Sequence, residues 1–319
     1  ARMMPLFELA PMVLAAAVIV GLFTFLFAGS MALVVRDIKR ILAYSTISHL
    51  GLMMLSLGAG SLSAALLHLI CHGVSKALLF LGAGSLMHSM DGETDSWKMG
   101  GLMKNMPVTG VTFVVGALSL AGVPPLSGFF SKDEVLWEIS LHLNPIVVVL
   151  AFVGIVVSAL YMTRLTCLVF TGTFRTEKAR RARESPFLMT IPLIILAICS
   201  AVVGLISLPI AGSYGGFTEF MGDGSFQLIR WITVPSVILA VCGVFVGWLV
   251  YTKNSIPPSI LTERFPSMYR LIVRGYYMDE LYQWIIDRII MATARFVAIF
   301  DRVVVNDTGV DTPAFSVML

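Results

Sequence analysis

Long apolar runs alternate with short polar stretches along the chain. A run of about 18 or more apolar residues crosses a hydrocarbon core of roughly 30 Å as a helix. Such runs fall at residues 10–35, 41–59, 64–88, 106–123, 145–171, 186–210 and 229–252. A weaker one at 125–140 brings the expectation to about eight spans. The polar punctuation is "RDIKR" (36–40), "DGETDSWKMGGLMKN" (91–105) and "RTEKARRARES" (175–185). Short loops rich in Lys and Arg prefer the cytoplasm, which places 175–185 inside. If 125–140 crosses independently, the chain after 252 also lies inside, whereas 36–40 and 91–105 lie outside, although the first of these is basic.

After Pro257 and Pro258 the pattern changes. In "YYMDELYQWIIDRIIMATARFVAIFDRVVV" (276–305), Glu280, Gln283, Asp287, Arg295 and Arg302 recur at three- and four-residue steps or their multiples, with Leu281, Trp284, Ile289, Phe296 and Phe300 filling the remainder. One polar stripe on an apolar helix predicts a helix lying along a membrane surface or against other helices; an ordinary amphipathic helix over a small cap fits the same pattern.

Composition agrees with a membrane protein: 57% of the 319 residues are hydrophobic and 13% charged, against roughly a quarter charged in soluble domains. The first apolar run is too long for a secretory h-region, and no clear cleavage site follows it. The chain opens at Ala1 rather than an initiator Met, which suggests a processed chain, a split subunit or a fragment. Cys71, Cys167, Cys199 and Cys242 are isolated within apolar segments, so they read as core-packing residues rather than a disulfide or iron–sulfur framework. No glycine-rich phosphate loop, H-E-x-x-H or G-x-S-x-G is present, and nothing points to catalytic residues, a bound cofactor or nucleic-acid binding.

Charge inside the spans changes the picture. His68, His72 and Lys76 in "LLHLICHGVSKALLF" (66–80) are spaced i, i+4, i+8, one face over two helical turns. A lysine near the bilayer centre costs at least about 2.5 kcal/mol, so this face predicts an interior or a water-filled path. Three readings compete: histidines satisfied by carbonyls with Lys76 snorkelling to the surface, a metal site lacking a third ligand, and a proton path through imidazoles that titrate near neutrality. A second cluster follows a predicted helix break in "GVPPLSGFFSKDEVLWEIS" (122–140): Pro124 and Pro125 remove backbone donors and Gly128 loosens the next turn. Ser131, Lys132, Asp133 and Glu134 come just past it. The alternative there is an exterior loop followed by a helix capped by Ser131 and Glu134, an S-x-x-E pattern.

These residues resemble a family. "DIKRILAYSTISHLG" (37–51), "HLICHGVSKALLFLGAGS" (68–85), "MGGLMKNMP" (99–107) and "LSGFFSKDE" (126–134) are similar to the antiporter-like membrane subunits of respiratory complex I, which also occur in multisubunit cation/proton antiporters and membrane-bound hydrogenases. "GYYMDELYQWIIDR" (275–288) resembles the distal subunit with a long lateral helix. The resemblance implies an all-α, polytopic transmembrane helix bundle with one discontinuous helix and a C-terminal amphipathic lateral helix. It divides the chain into a second five-helix repeat with a preceding span (1–171), two further spans (172–252), and a linker with the lateral helix (253–319).

The resemblance also assigns roles. Lys76 matches the family's central lysine, with His68 and His72 leading toward it. Lys132 matches the lysine on the discontinuous helix near the exit, and Asp133 the acidic residue beside it. His49 stands where some members carry glutamine. With Ser131 and Glu134 these residues form the expected proton pathway. The implied function is proton translocation within a redox-driven pump passing electrons to a quinone-type acceptor, in an energy-converting membrane. Flavin and iron–sulfur clusters would sit in partner subunits, and another antiporter-like subunit and lipids would lie around the lateral helix. A first repeat before Ala1 and an anchoring span after Leu319 would come from a partner or a longer polypeptide. Two alternatives stay open: a sodium/proton antiporter or membrane-bound hydrogenase subunit, and a non-conducting structural subunit.

Overall fold

The structure, a computed structural model, describes residues 4–209, 216–222, 230–252, 266–303 and 305–306. It forms two units by internal contact, residues 1–261 and 262–319.

In the first unit, α1 (Pro11–Val34), α2 (Ile38–Gly58), α3 (Leu62–Ser89), α4 (Pro107–Ala121), α5 (Ser127–His142), α6 (Pro145–Phe170), α7 (Phe187–Val202) and α8 (Arg230–Tyr251) match the apolar runs closely. Their starts are written locally. Asp37 accepts from the Arg40 N–H at 2.9 Å to open α2. Asn144 does the same for the Ile146 N–H ahead of α6, whose first residue is Pro145. Packing of α1 on α2 depends on small residues: a Cβ on Gly21 would stand 2.5 Å from Leu55 N, and one on Gly51 2.5 Å from Phe25 N. Small residues are how membrane helices approach closely without a hydrophobic drive between them.

The segment at 125–140 is not a crossing of its own. α4 ends at Gly122 in the left-handed conformation, φ 86°, and α5 begins five residues later alongside it, with the Gly128 N–H donating to Ser119 Oγ at 3.2 Å. α4 starts beside the 171–186 loop, where its Val108 N–H reaches Glu184. The far part of α5 reaches the opposite side: Val135, Leu136 and Ile139 pack in one cluster with Ala59 and Ala64, and Trp137 meets Trp231 edge-on. Thus α4 and α5 form one broken crossing, with the break inside the bilayer. Its first helical residue is Ser127 and all of Ser131, Lys132, Asp133 and Glu134 are buried. An exterior loop with a Ser131–Glu134 cap does not form.

This changes the parity of the topology and corrects the expected sidedness. The Ile38 N–H donates to Thr94 O at 2.9 Å and the Gly101 N–H to Thr171 O at 2.8 Å. Thr176 bonds Lys98 O at 2.8 Å, and Thr171 meets Thr252 at 3.3 Å. Residues 35–37, 90–106 and 171–186 and the end of α8 therefore share one face, rather than 36–40 and 91–105 lying opposite 175–185. That face gathers Arg36, Lys39, Arg40, Lys98, Lys104, Arg175, Lys178, Arg180, Arg181 and Arg183, whereas 59–61, 143–144 and 208–229 contain no Lys or Arg. The positive-inside rule is now obeyed by every basic loop of the bundle; the face is cytoplasmic. Cys71 and Cys167 are buried as expected, but Cys199 and Cys242 are exposed on the outside of the bundle. A thiol is apolar enough for lipid, so an apolar setting did not imply the core.

In the second unit, a helix at Pro266–Val273 leads through a turn with Tyr276 and Tyr277 at φ 56° and 58° into a helical run. The run comprises α-helix Met278–Ile285, a π-turn Ile286–Ile290 and α-helix Met291–Phe300. The expected stripe is visible in the Gln283 to Asp287 hydrogen bond of 3.0 Å. The expected linker, with Pro257 and Pro258, and the tail after 306 lie outside the described residues.

Candidate functional site

Every candidate from the two clusters is buried. His68, His72 and Lys76 lie at 1%, 4% and 5% exposure, and Lys132 and Asp133 at 3% and 2%. Lys76 therefore does not snorkel. α2 adds His49, fully enclosed. Its Nδ1 lies 3.0 Å from His68 Nε2, and His68 Nδ1 lies 3.0 Å from Ser131 Oγ on α5. The three imidazoles form one cluster, with ring centroids 5.2 Å apart for His49 and His68, 5.0 Å for His49 and His72, and 6.0 Å for His68 and His72. His68 spends both ring nitrogens on protein partners, a hydrogen-bonded geometry rather than a ligating one. His49 Nε2 and His72 Nε2 have no hydrogen-bond partner among the described residues.

Each lysine is held in the same way. Lys76 Nζ donates to Leu42 O at 3.0 Å and to Ser45 Oγ. Lys132 Nζ donates to Leu120 O and, at 2.8 Å, to Ser158 Oγ. Among the described residues neither has a carboxylate within ion-pair reach. Asp133 does not pair with its neighbour Lys132; it accepts from Thr233 at 2.7 Å and Ser236 at 3.3 Å, both on α8.

Hydroxyls surround this array. Ser75 joins Ser119 at 3.0 Å and Ser200 at 2.8 Å, and Ser119 joins Ser127 at 3.0 Å. Nearer the cytoplasmic face, Ser85 joins Thr109 at 2.8 Å and Ser185 at 2.7 Å, and Thr109 donates to Glu184 at 2.6 Å. An apolar band separates the two sets along α3. Phe113 lies against Gly82, and Leu78 and Leu79 against Gly116, all fully or nearly fully enclosed. Polar continuity from the imidazoles runs instead through Ser131 and Asp133 toward the face opposite the basic loops.

The sequence pattern brought out the titratable groups and missed their partners: Ser45, Ser158, Thr233, Ser236, and the carbonyls of Leu42 and Leu120. One of these was readable. The Leu120 carbonyl is free because the residue four positions on is Pro124, which has no N–H to give it.

Fold and site together define a polytopic helical membrane protein with a buried imidazole–ammonium array across a broken helix. Residues 1–160 match the family NADH:quinone oxidoreductase/Mrp antiporter, TM, and the chain belongs to that family. Among its relatives, the chloroplastic NAD(P)H-quinone oxidoreductase subunit 5 of Nephroselmis olivacea is 36% identical, over all of this chain and 51% of that protein. The chain spans about half the length of the curated relatives it matches. Among solved structures, the membrane-bound sulfane sulfur reductase, an archaeal respiratory membrane complex, superposes with TM-score 0.62 at 25% identity, over 92% of this chain and 56% of that one. The Mrp complex of Dietzia sp. DQ12-45-1b gives TM-score 0.63 at 22% identity over 93% and 32%, a likeness of fold.

Proposed function

We propose that this chain conducts protons through an energy-converting membrane as an antiporter-like subunit of a redox-driven pump of the complex I type. Electron transfer belongs to partner subunits that carry flavin and iron–sulfur groups. Other membrane-arm subunits pack around this one, and the amphipathic run at 278–303 rests against another antiporter-like subunit as a lateral helix.

The observation that carries the reading is how the two lysines are held. Each amine has two protein acceptors, a carbonyl and a serine hydroxyl. A neutral amine has two N–H groups and an ammonium three, so both bonds persist whether or not the third proton is present. Burial favours the neutral form of a lysine and a nearby opposite charge the protonated one. A charge moving in a neighbouring subunit therefore loads or unloads Lys76 without rebuilding its site.

The imidazoles link the lysines. His72 follows Lys76 by one turn, and His68 follows His72 and reaches Ser131, next to Lys132. An imidazole takes a proton on one nitrogen and releases one from the other, so His72, His49 and His68 pass a proton from Lys76 to Ser131 and Lys132, and Asp133 hands it to the exit face. The unpartnered Nε2 atoms of His49 and His72 support this order, because a buried polar nitrogen is costly unless water reaches it.

The test is proton pumping by the assembled complex in sealed vesicles. Lys76→Met is expected to leave electron transfer measurable while protons moved per electron fall. Pumping at the normal ratio would remove Lys76 from the pathway. Replacing sodium by choline on both sides is expected to change nothing; a sodium requirement would favour a sodium/proton antiporter.

A further inference from the structure

The cytoplasmic face carries a built pocket that the proton path does not use. Residues 177–183 and Asn105 enclose a cleft of about 600 Å³ lined by Glu177, Arg180, Arg181 and Arg183. Its backbone is pinned on all sides. Asn105 Nδ2 donates to Arg180 O at 3.1 Å, Ser89 Oγ donates to Arg183 O, the Glu184 carboxylate takes the Val108 N–H at 2.8 Å, and Ser185 meets Ser85 at 2.7 Å. The guanidinium groups are left outward on this fixed frame. Arg180 lies 4.0 Å from Glu177, and no carboxylate pairs with Arg181 or Arg183 among the described residues. The cleft therefore holds an excess of positive charge.

What lies directly beneath it says which anion fits. Pro186 turns the chain into α7, whose first residues Phe187 and Leu188 are 74% and 86% exposed. Further along, Ile195, Ile198 and Val202 are exposed too. An arginine pocket at the cytoplasmic boundary, continuous with a strip of apolar side chains facing the hydrocarbon, matches a molecule with a phosphate head and acyl tails. We infer that this cleft binds the headgroup of an anionic phospholipid from the cytoplasmic leaflet, with Arg180, Arg181 and Arg183 on the phosphate and the acyl chains along the exposed side of α7. Guanidinium forks suit phosphate oxygens, and basic pockets beside membrane helices on this side recognise such headgroups. An acidic segment of a neighbouring subunit has matching charge but no use for the apolar strip below.

The experiment uses the assembled complex, stripped of loose lipid in mild detergent and titrated with phosphatidylglycerol or phosphatidylcholine, with bound lipid counted by native mass spectrometry. The variant combines Arg180→Gln, Arg181→Gln and Arg183→Gln. A charge-matched control on the same face combines Arg36→Gln, Lys39→Gln and Lys98→Gln. Expected is a fall of roughly a hundredfold in phosphatidylglycerol affinity for the first variant, about fivefold per arginine, with the control and phosphatidylcholine unaffected. Equal loss in the control would reduce the effect to general surface charge and overturn the site. Displacement by inorganic phosphate alone would remove the lipid from the inference. Loss of a co-purifying subunit at unchanged lipid content would make the patch a protein contact instead.

Discussion

Lys76 and Lys132 are bonded alike and built differently. Lys76 sits within the unbroken α3 and borrows its carbonyl from a neighbouring helix, at Leu42, an oxygen that also accepts from Ser45 and Thr46. Lys132 sits in the second turn of a half-helix and takes the Leu120 carbonyl, released by Pro124 at the end of the other half. The negative end of a helix dipole also faces Lys132. One lysine is thus placed by packing between helices, and the other by a gap in its own crossing. Substitutions that act on packing and on the gap should separate the two.

The largest effects come from the amines themselves. In vesicles, Lys76→Met is expected to reduce proton pumping by about a hundredfold, the low end of what a positioned proton donor contributes. Lys132→Met is expected to cost less, because Asp133 with Thr233 and Ser236 still offers a polar route to the exit face. Equal losses would mean that both lysines act as one unit and that the contrast in their settings is without consequence.

The backbone of the gap comes next. A Cβ on Gly128 would fall 1.8 Å from the Ser119 carbonyl oxygen, against backbone that cannot step aside, whereas one on Gly82 in unbroken α3 would meet the Phe113 ring edge at 2.9 Å. Gly128→Ala is expected to prevent assembly or lower the thermal midpoint of the complex sharply. Gly82→Ala is expected to cost about 1–3 kcal/mol, the range for overpacking a core. Thermal denaturation of the purified complexes checks this; a tolerated Gly128→Ala would mean that the two half-helices do not touch as described.

These contrasts also mark what the chain disclosed and what it kept. Helices were legible because lipid demands long apolar runs, and each of the predicted spans forms a helix. The His68, His72 and Lys76 face was legible because polar groups at i, i+4, i+8 stand out in such a run. Sidedness was not, because Pro124 and Pro125 read equally as a surface turn or as a break at depth, and that choice decides the parity of every loop before it. Nor were the hydroxyl partners: Ser45, Ser158 and Thr233 come from three other helices, and an isolated serine in an apolar run carries no sign of what it will meet. His49 belongs between these cases, an isolated histidine whose place in the imidazole cluster depends on how α2 packs on α3.

A finer separation follows from Pro124. Alanine there supplies an N–H four residues after Leu120, able to close the helical bond and compete with Lys132 for that oxygen. Pro124→Ala is expected to slow pumping severalfold with the complex assembled, since the competing bond is worth about 1 kcal/mol. Electron transfer in uncoupled membranes should keep its rate. An unchanged pumping rate would show that Lys132 does not depend on the freed carbonyl.

The smallest and sharpest comparison is between the two serines. Ser45→Ala and Ser158→Ala each delete the hydroxyl acceptor of one lysine, a change of about 1 kcal/mol and a few-fold in rate. They differ in what remains. After Ser45→Ala, Lys76 shares its carbonyl with Thr46, which also donates to Leu42 O at 2.8 Å. After Ser158→Ala, Lys132 keeps a carbonyl that has no helical N–H to satisfy. Ser45→Ala is therefore expected to lower pumping more than Ser158→Ala, measured side by side as initial rates in the same vesicle preparation. The reverse order would mean that the hydroxyl, and not the proline-freed carbonyl, is what secures the lysine at the break.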